Sequence, residues 1–290
     1  METHTNNDAN DAKAQTIKKP IDWQGHRGAR GILPENTIPA FIKALEYVTT
    51  LELDLAVSQD GRTIVSHEPW MSSHICQPPD GRNVEEAEQM ELLIYKMDYE
   101  TIKQYDCGSR GNERFEEQQK MATYKPSLMD MVSNVELHCE KNSQTRPHYN
   151  IELKSQEEWY DSLCPAPQRF VQLVLEEIKL LDINDRVNLQ SFDINILQEI
   201  RKQDKEMPIA YLIENLDSLD KNLEKLGFIP EIYSPYYMLL NKELIQQIHD
   251  KGMQLIPWTV NDPEVMKRLV AEGVDGIITD YPNLIPAEVK

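Results

Sequence analysis

Short apolar runs rich in β-branched residues alternate along this chain with longer segments whose apolar positions recur every three or four residues. The runs are Asp22–Arg27, Leu51–Val57, Tyr149–Lys154, Val187–Ser191, Ile209–Ile213, Ile232–Pro235, Leu255–Val260 and Gly276–Thr279. Helical spacing fits Ile38–Tyr47, Pro167–Leu181, Ile194–Asp204, Leu216–Leu226, Asn241–Lys251 and Pro263–Glu272, with Gly227, Gly252 and Gly273 where helix stops belong. Strands separated by helices pair in parallel, and eight such units predict an α/β fold, a (β/α)8 TIM barrel. An open doubly wound sheet would more often carry a Gly-x-Gly-x-x-Gly turn after its first strand, and the segment around Gly25, Gly28 and Gly31 does not match it.

Two stretches break the regularity. Gln59-Asp60-Gly61-Arg62 is a tight-turn signal, so Thr63–His67 is expected to fold back on the second strand as a hairpin arm. Residues from about 68 to 125 then hold Pro78-Pro79, Asp80-Gly81, Gly108 and Gly111 with weak periodicity. That is too long for a barrel loop, and it reads as a cap inserted over the barrel mouth. Pro126 restarts a helix, expected over Ser127–Val135. Residues 1–18 are polar, without the apolar core of a signal peptide, and read as a disordered leader before a single domain over 19–290. Such a leader is as compatible with a cytoplasmic chain as with the spacer that follows a cleaved export signal. No run of about 18 apolar residues predicts a membrane span.

Charge narrows the partners. The 290 residues carry 30 basic and 49 acidic side chains, a formal net charge of −19. Nucleic acid and anionic membranes are repelled at long range, and a phosphate site would have to be made positive locally. Oligomeric state is not legible. The four cysteines, Cys76, Cys107, Cys139 and Cys164, show no close metal-type spacing, and the expectation is four unpaired thiols. Were the chain exported, Cys76 with Cys107 would be the pair to test.

The chemistry concentrates at strand ends. Glu52 and Asp54 are two apart on a strand and share a face; Glu152 and Lys154 repeat the geometry on a later strand. Salt bridges to Lys154 or Arg27 could neutralise one acid pair. Three inward carboxylates are better explained by a hard divalent cation, Mg2+ or Ca2+, than by Zn2+. His26 closes the first strand and His67 the hairpin arm, and each can exchange a proton near neutral pH. The Arg27 fork suits two phosphate oxygens, and Lys154 adds a point charge. Glu35 and Asn36 are expected to open a helix facing the site and to offer groups to metal or substrate, although a plain helix cap explains Asn36 nearly as well. His74, His138, His148 and His249 receive no role.

The ordered set His26-Arg27-Gly28, Pro34-Glu35-Asn36-Thr37, Glu52-Leu53-Asp54, Asp60-Gly61, His67 and Glu152-Leu153-Lys154 resembles the glycerophosphodiester phosphodiesterases. The resemblance extends through Ser191-Phe192, Trp258-Thr259-Val260-Asn261 and Gly276–Asp280, about residues 22–285. It implies a (β/α)8 barrel with a small insertion after the arm, and divalent-ion-dependent hydrolysis of deacylated phospholipids to an alcohol and glycerol 3-phosphate. By motif match Glu52, Asp54 and Glu152 would hold the metal, and His26 and His67 would be acid and base. Arg27 and Lys154 would contact phosphate, and Phe192 and Trp258 would line the pocket. Glu68 after His67 departs from the Asp often found there. Alternatives are a relative acting on lysophospholipids or glycerophosphoinositol, and a binding protein without turnover, against which the intact histidines argue.

Overall fold

The computed structural model describes residues 20–290, so the leader expected over 1–18 lies outside the described residues. Numbered in chain order, the strands are β1 (Asp22–Gly25), β2 (Thr50–Val57), β3 (Thr63–Val65), β4 (His148–Leu153), β5 (Val187–Ser191), β6 (Ile209–Ile213), β7 (Ile232–Pro235), β8 (Gln254–Leu255) and β9 (Gly276–Thr279). All but β3 are parallel, in the order β8-β7-β6-β5-β4-β2-β1-β9. β3 pairs antiparallel with β2, Leu55 opposite Val65 and Val57 opposite Thr63, as the Asp60-Gly61 turn requires. The barrel is nearly closed. Between β8 and β9 it is joined by separate bonds: Asp275 N to Leu255 O (2.9 Å), Ile278 N to Pro257 O (3.0 Å) and Val260 N to Ile278 O (2.9 Å). The longer strand expected over Leu255–Val260 is therefore corrected to two residues. Pro257 has no N–H to continue a ladder.

Helices α1 (Ile38–Ala44), α2 (Tyr99–Ile102), α3 (Leu128–Lys141), α4 (Pro167–Leu180), α5 (Ile194–Gln203), α6 (Leu219–Leu226), α7 (Lys242–Asp250) and α8 (Pro263–Glu272) follow; all but the short α2 lie between barrel strands. Side-chain caps set several starts. Ser127 Oγ accepts from Asp130 N, and α3 runs past the expected Val135 because its apolar stripe continues to Cys139. Ser218 caps α6, which begins at Leu219 and not at Leu216; Leu216 is 91% exposed.

The strands sort their residues by face. Leu51, Leu53 and Leu55 of β2 and Tyr149, Ile151 and Leu153 of β4 are fully buried in one cluster with helix residues such as Phe41, Met131 and Phe170. The alternate positions turn inward. On β6–β9 that interior is apolar, with Ala210, Ile232, Ile256 and Ile278 packed together. On β1, β2, β4 and β5 it is a ladder of amides and acids. Asn150 Nδ2 donates to Gln24 Oε1 (2.7 Å) and to Gln190 Oε1 (3.1 Å). Gln24 Nε2 donates in turn to Asp22 (2.7 Å), and Gln190 Nε2 to Glu52 (2.9 Å).

Residues 66–127 connect β3 to α3 and bury a small cluster of their own, including Met71, Ile75, Ile94 and Ile102, against Ala56 and Ile64 of the hairpin. Within it Cys76 and Cys107 form a disulfide, which corrects the expectation of four unpaired thiols. The reason is local pairing that composition does not reveal. Gln77 and Asp106 exchange two backbone hydrogen bonds (2.7 and 2.9 Å), which sets their cysteine neighbours side by side. Cys139 and Cys164 are free and buried. The bridge closes a loop across a sequence separation of 31, so its loss should cost the insertion roughly 2–4 kcal/mol of local stability. Limited proteolysis with and without dithiothreitol should cut first between residues 76 and 107 in the reduced protein, with the barrel intact.

Candidate active site

The first half of the site is a turn at the end of β1. The strand expected to run to Arg27 stops at Gly25, because Arg27 (φ 50°) and Gly28 (φ 82°) take left-handed backbone. Gly28 also lies against α1, where an added Cβ would come within 2.6 Å of the Ala40 backbone. The turn aims Arg27 N–H at Glu52 Oε2 (2.9 Å) and presents His26 to the barrel mouth. His26 Nδ1 sits 2.6 Å from Asp280 Oδ1 at the end of β9, and Nε2 is 3.8 Å from Glu52 Oε2. Asp280 also accepts from Arg30 Nε (2.7 Å) and from Asn261 Nδ2 (2.8 Å). His67 repeats the motif on the arm, its Nδ1 3.0 Å from Glu68 Oε1. An imidazole whose Nδ1–H is held by a carboxylate leaves Nε2 for the cavity.

Burial, helped by Arg30 and only partly offset by Asp280, lowers His26 from 6.5 to about 4. Burial and Arg27 lower His67 as well. Burial alone would raise Glu68, but the His67 bond and Lys125 hold it below the usual carboxylate range. Between about 4 and 6.5 His26 gains a proton only on unfolding, so its contribution is intact above pH 6.5 and drains away as pH falls toward 4. Urea titrations in EDTA at pH 5, 6 and 7 should show a shallower acid loss for His26→Asn than for the parent chain.

The second half is acidic. Asp54 stands opposite Glu152 in the β2–β4 register, and Glu52, Asp54 and Glu152 each offer an oxygen within 4.8 Å of the others. Glu52 accepts from Arg27 N and Gln190 Nε2. Asp54 Oδ2 accepts from Asn36 Nδ2 (2.8 Å) and lies 3.2 Å from Arg27 Nε, while Glu152 Oε1 accepts from Lys154 Nζ (2.8 Å). Asp54 Oδ1 is buried with no hydrogen-bond partner. Burial and then the neighbouring acids Asp54 and Glu152 push Glu52 well above the usual range. Burial pushes Glu152 up to about 7 against the pull of Lys154, whereas Asp54, in spite of burial, is held low by Arg27. Two cations therefore serve three acids, and Arg27 is shared further with Glu35 (2.6 Å). An orphaned oxygen inside an all-carboxylate set fits a hard divalent cation.

One cavity of about 500 Å³ is lined by His26, Arg27, Glu52, His67, Glu152, Lys154, Phe192 and Trp258, with Asp54 fully buried against the acids. Phe192 and Trp258 meet edge to face, centroids 5.4 Å apart. Thr37, not Asn36, caps α1; Glu35 accepts from Arg27, and Asn36 donates to Asp54. Asp280, Gln190, Arg30 and the insertion's Arg114 and Phe115 were not expected here, yet all line the cavity. An acid just past a barrel strand's C-terminal end could have flagged Asp280. Asn188 and Gln190, two apart among apolar neighbours, could have flagged a polar interior face on β5. No local pattern marks Arg114.

The fold and the site together are those of a nearly closed (β/α)8 barrel whose cavity holds two carboxylate-backed histidines and an acidic cluster. The model of the glycerophosphoryl diester phosphodiesterase family matches residues 26–284, and the chain belongs to that family. It is 27% identical over 263 residues to the glycerophosphodiester phosphodiesterase of Caldanaerobacter subterraneus subsp. tengcongensis, covering 90% of this chain and 94% of that protein. A structure from Silicibacter pomeroyi, provisionally named glycerophosphoryl diester phosphodiesterase, superposes with a TM-score of 0.80 at 29% identity over 91% of each chain. The Oleispira antarctica phosphodiesterase, solved with its product sn-glycerol-3-phosphate, shares the fold with a TM-score of 0.71 at 21% identity, over 92% of this chain and 95% of that one. Among the described residues no helix is long and apolar enough to cross a membrane.

Proposed function

We propose that this enzyme hydrolyses deacylated phospholipids to an alcohol and glycerol 3-phosphate, using one divalent cation, Mg2+ or Ca2+, held by Glu52, Asp54 and Glu152. The observation that carries the reading is the unpartnered Asp54 Oδ1 inside a three-carboxylate cluster on the same cavity as both histidines. When bound, the cation would offset negative charge that grows on the phosphoryl oxygens. His26, neutral and fixed by Asp280, is the base: its Nε2 takes a proton from the attacking hydroxyl. His67, on the arm beside the insertion, gives a proton to the leaving alkoxide. A diester's negative charge raises the proton affinity of the imidazole next to it, which opposes the depression by burial and Arg27. Arg27 and Lys154 hold phosphoryl oxygens, and Phe192 and Trp258 pack the glycerol carbons. Residues 68–125 act as the cap that bounds the substrate.

The direct test is release of glycerol 3-phosphate from glycerophosphocholine, before and after EDTA and with Mg2+ or Ca2+ restored. Loss with EDTA and recovery with one ion is the expected result. Full activity in EDTA would remove the cation from the reading, and choline phosphate as product would reverse the assigned bond.

A further inference from the structure

Resting on that reading, we propose that Arg114 selects diesters whose leaving alcohol carries a second negative charge. Of the cations on the cavity wall, Arg27 is held by Glu35 and Asp54, Arg30 by Asp280, and Lys154 by Glu152. Among the described residues Arg114 pairs with no carboxylate, although the chain carries 49 of them. Its side chain is exposed and lines the cavity. An unpaired guanidinium at the mouth of a strongly acidic protein is a site for an anion.

The position is built. Two residues before Arg114, Asn112 Nδ2 donates to Glu35 Oε2 (3.3 Å). One residue after it, Phe115 is buried under the Arg30 guanidinium (4.9 Å) and meets the Tyr281 ring edge-on. Gln118 Nε2 donates to Arg30 O (2.6 Å), and Gln119 N to Ile32 O (2.8 Å). The insertion is thus clamped to the β1–α1 turn on both sides of Arg114. In the proposed reaction the glycerol packs on Phe192 and Trp258 and the acid His67 serves the leaving alcohol, so we assign Arg114, on the insertion that follows the His67 arm, to that alcohol.

A matched pair of substrates isolates the charge: glycerol phosphodiesters of glycolate and of glycolamide, alike in shape and one charge apart. The parent enzyme should favour the glycolate ester in kcat/KM by roughly 5- to 10-fold, the range between an exposed ion pair and a charged hydrogen bond. Arg114→Ala should bring that ratio near one, and Arg114→Glu should invert it. Arg110→Ala removes the same charge from the same segment but away from the cavity, and should leave the ratio as it was. A parent ratio near one, or a ratio shifted as far by Arg110→Ala as by Arg114→Ala, overturns the inference while leaving the hydrolytic reading intact. Failure to release glycerol 3-phosphate from either ester overturns the hydrolytic reading instead. The same ratios taken as dissociation constants by calorimetry then decide whether Arg114 reads charge.

Discussion

Replacing His67 with alanine should lower turnover of glycerophosphocholine about 10²–10⁴-fold, and a p-nitrophenyl leaving group should restore most of it. A nitrophenolate departs without help, so an enzyme short of its acid no longer needs one. His26→Ala should lose as much on the natural diester and gain little from the activated one, because the proton taken from the attacking hydroxyl is still unclaimed. The asymmetry follows from placement. His26 is 12% exposed and locked between Asp280 and Glu52, whereas His67 is 32% exposed two residues beyond β3. Equal losses for both variants on the nitrophenyl ester would show that one imidazole holds phosphate or metal instead of moving a proton. Circular dichroism of both variants should match the parent, since neither side chain belongs to the apolar core.

Glu152→Gln should reduce activity by about 10²-fold or more, the equivalent of several kcal/mol of charge stabilisation, and weaken divalent-ion binding measured by calorimetry. In EDTA the same variant should melt at a higher temperature than the parent. Burial pushes Glu152 up to about 7 from its ordinary 4.5 in spite of Lys154, so its ionisation destabilises the native state. That cost enters as pH rises from 4.5 and is complete above about 7, so the gain from glutamine should be small at pH 5 and full at pH 8. Glutamine keeps a carbonyl for Lys154 to donate to, which preserves the existing bond. A lower melting temperature at pH 8, or unchanged ion affinity, would mean that the three acids are a salt-bridge cluster serving the fold.

Much of this architecture was legible because barrel strands and their helices are patterned locally. Helix α8 has the bounds that Pro263 and the Gly273 stop predict, and the structure adds Asp262 as its cap. The arm followed from Asp60-Gly61 alone. His26, Arg27, Lys154 and Phe192 lie one or two residues beyond strand ends and Glu152 next to the end of β4, whereas Glu52 and Asp54 sit within β2 and are brought to the cavity by strand alternation. What stayed hidden depends on distance along the chain. Asp280 reaches His26 across 254 positions, and Gln190 reaches Glu52 across 138. The disulfide failed for the same reason: the Gln77–Asp106 pairing that aligns the two thiols lies in an insertion without periodicity. Strand β8 is a different case, since Pro257 stood in the run that was read as a strand.

The amide ladder inside the barrel also bears on how the chain finds one fold among near-copies. Parallel strands that slide past each other by two residues keep every side chain on its face. The outward rows Leu51, Leu53, Leu55 and Tyr149, Ile151, Leu153 are greasy along their whole length and penalise such a slip little. The inward row is not interchangeable. In the native register Glu52 stands opposite Asn150, and Asp54 opposite Glu152. Slide β4 by two residues and Asn150 loses either Gln24 or Gln190, leaving a buried amide or a carboxylate unanswered at roughly 1–3 kcal/mol each. The same polar row that orients the acids is then the chain's proofreader against misregistered barrels. A variant with Asn150 and Gln190 both changed to leucine should refold with more kinetically trapped species, even where its final secondary structure is unaltered.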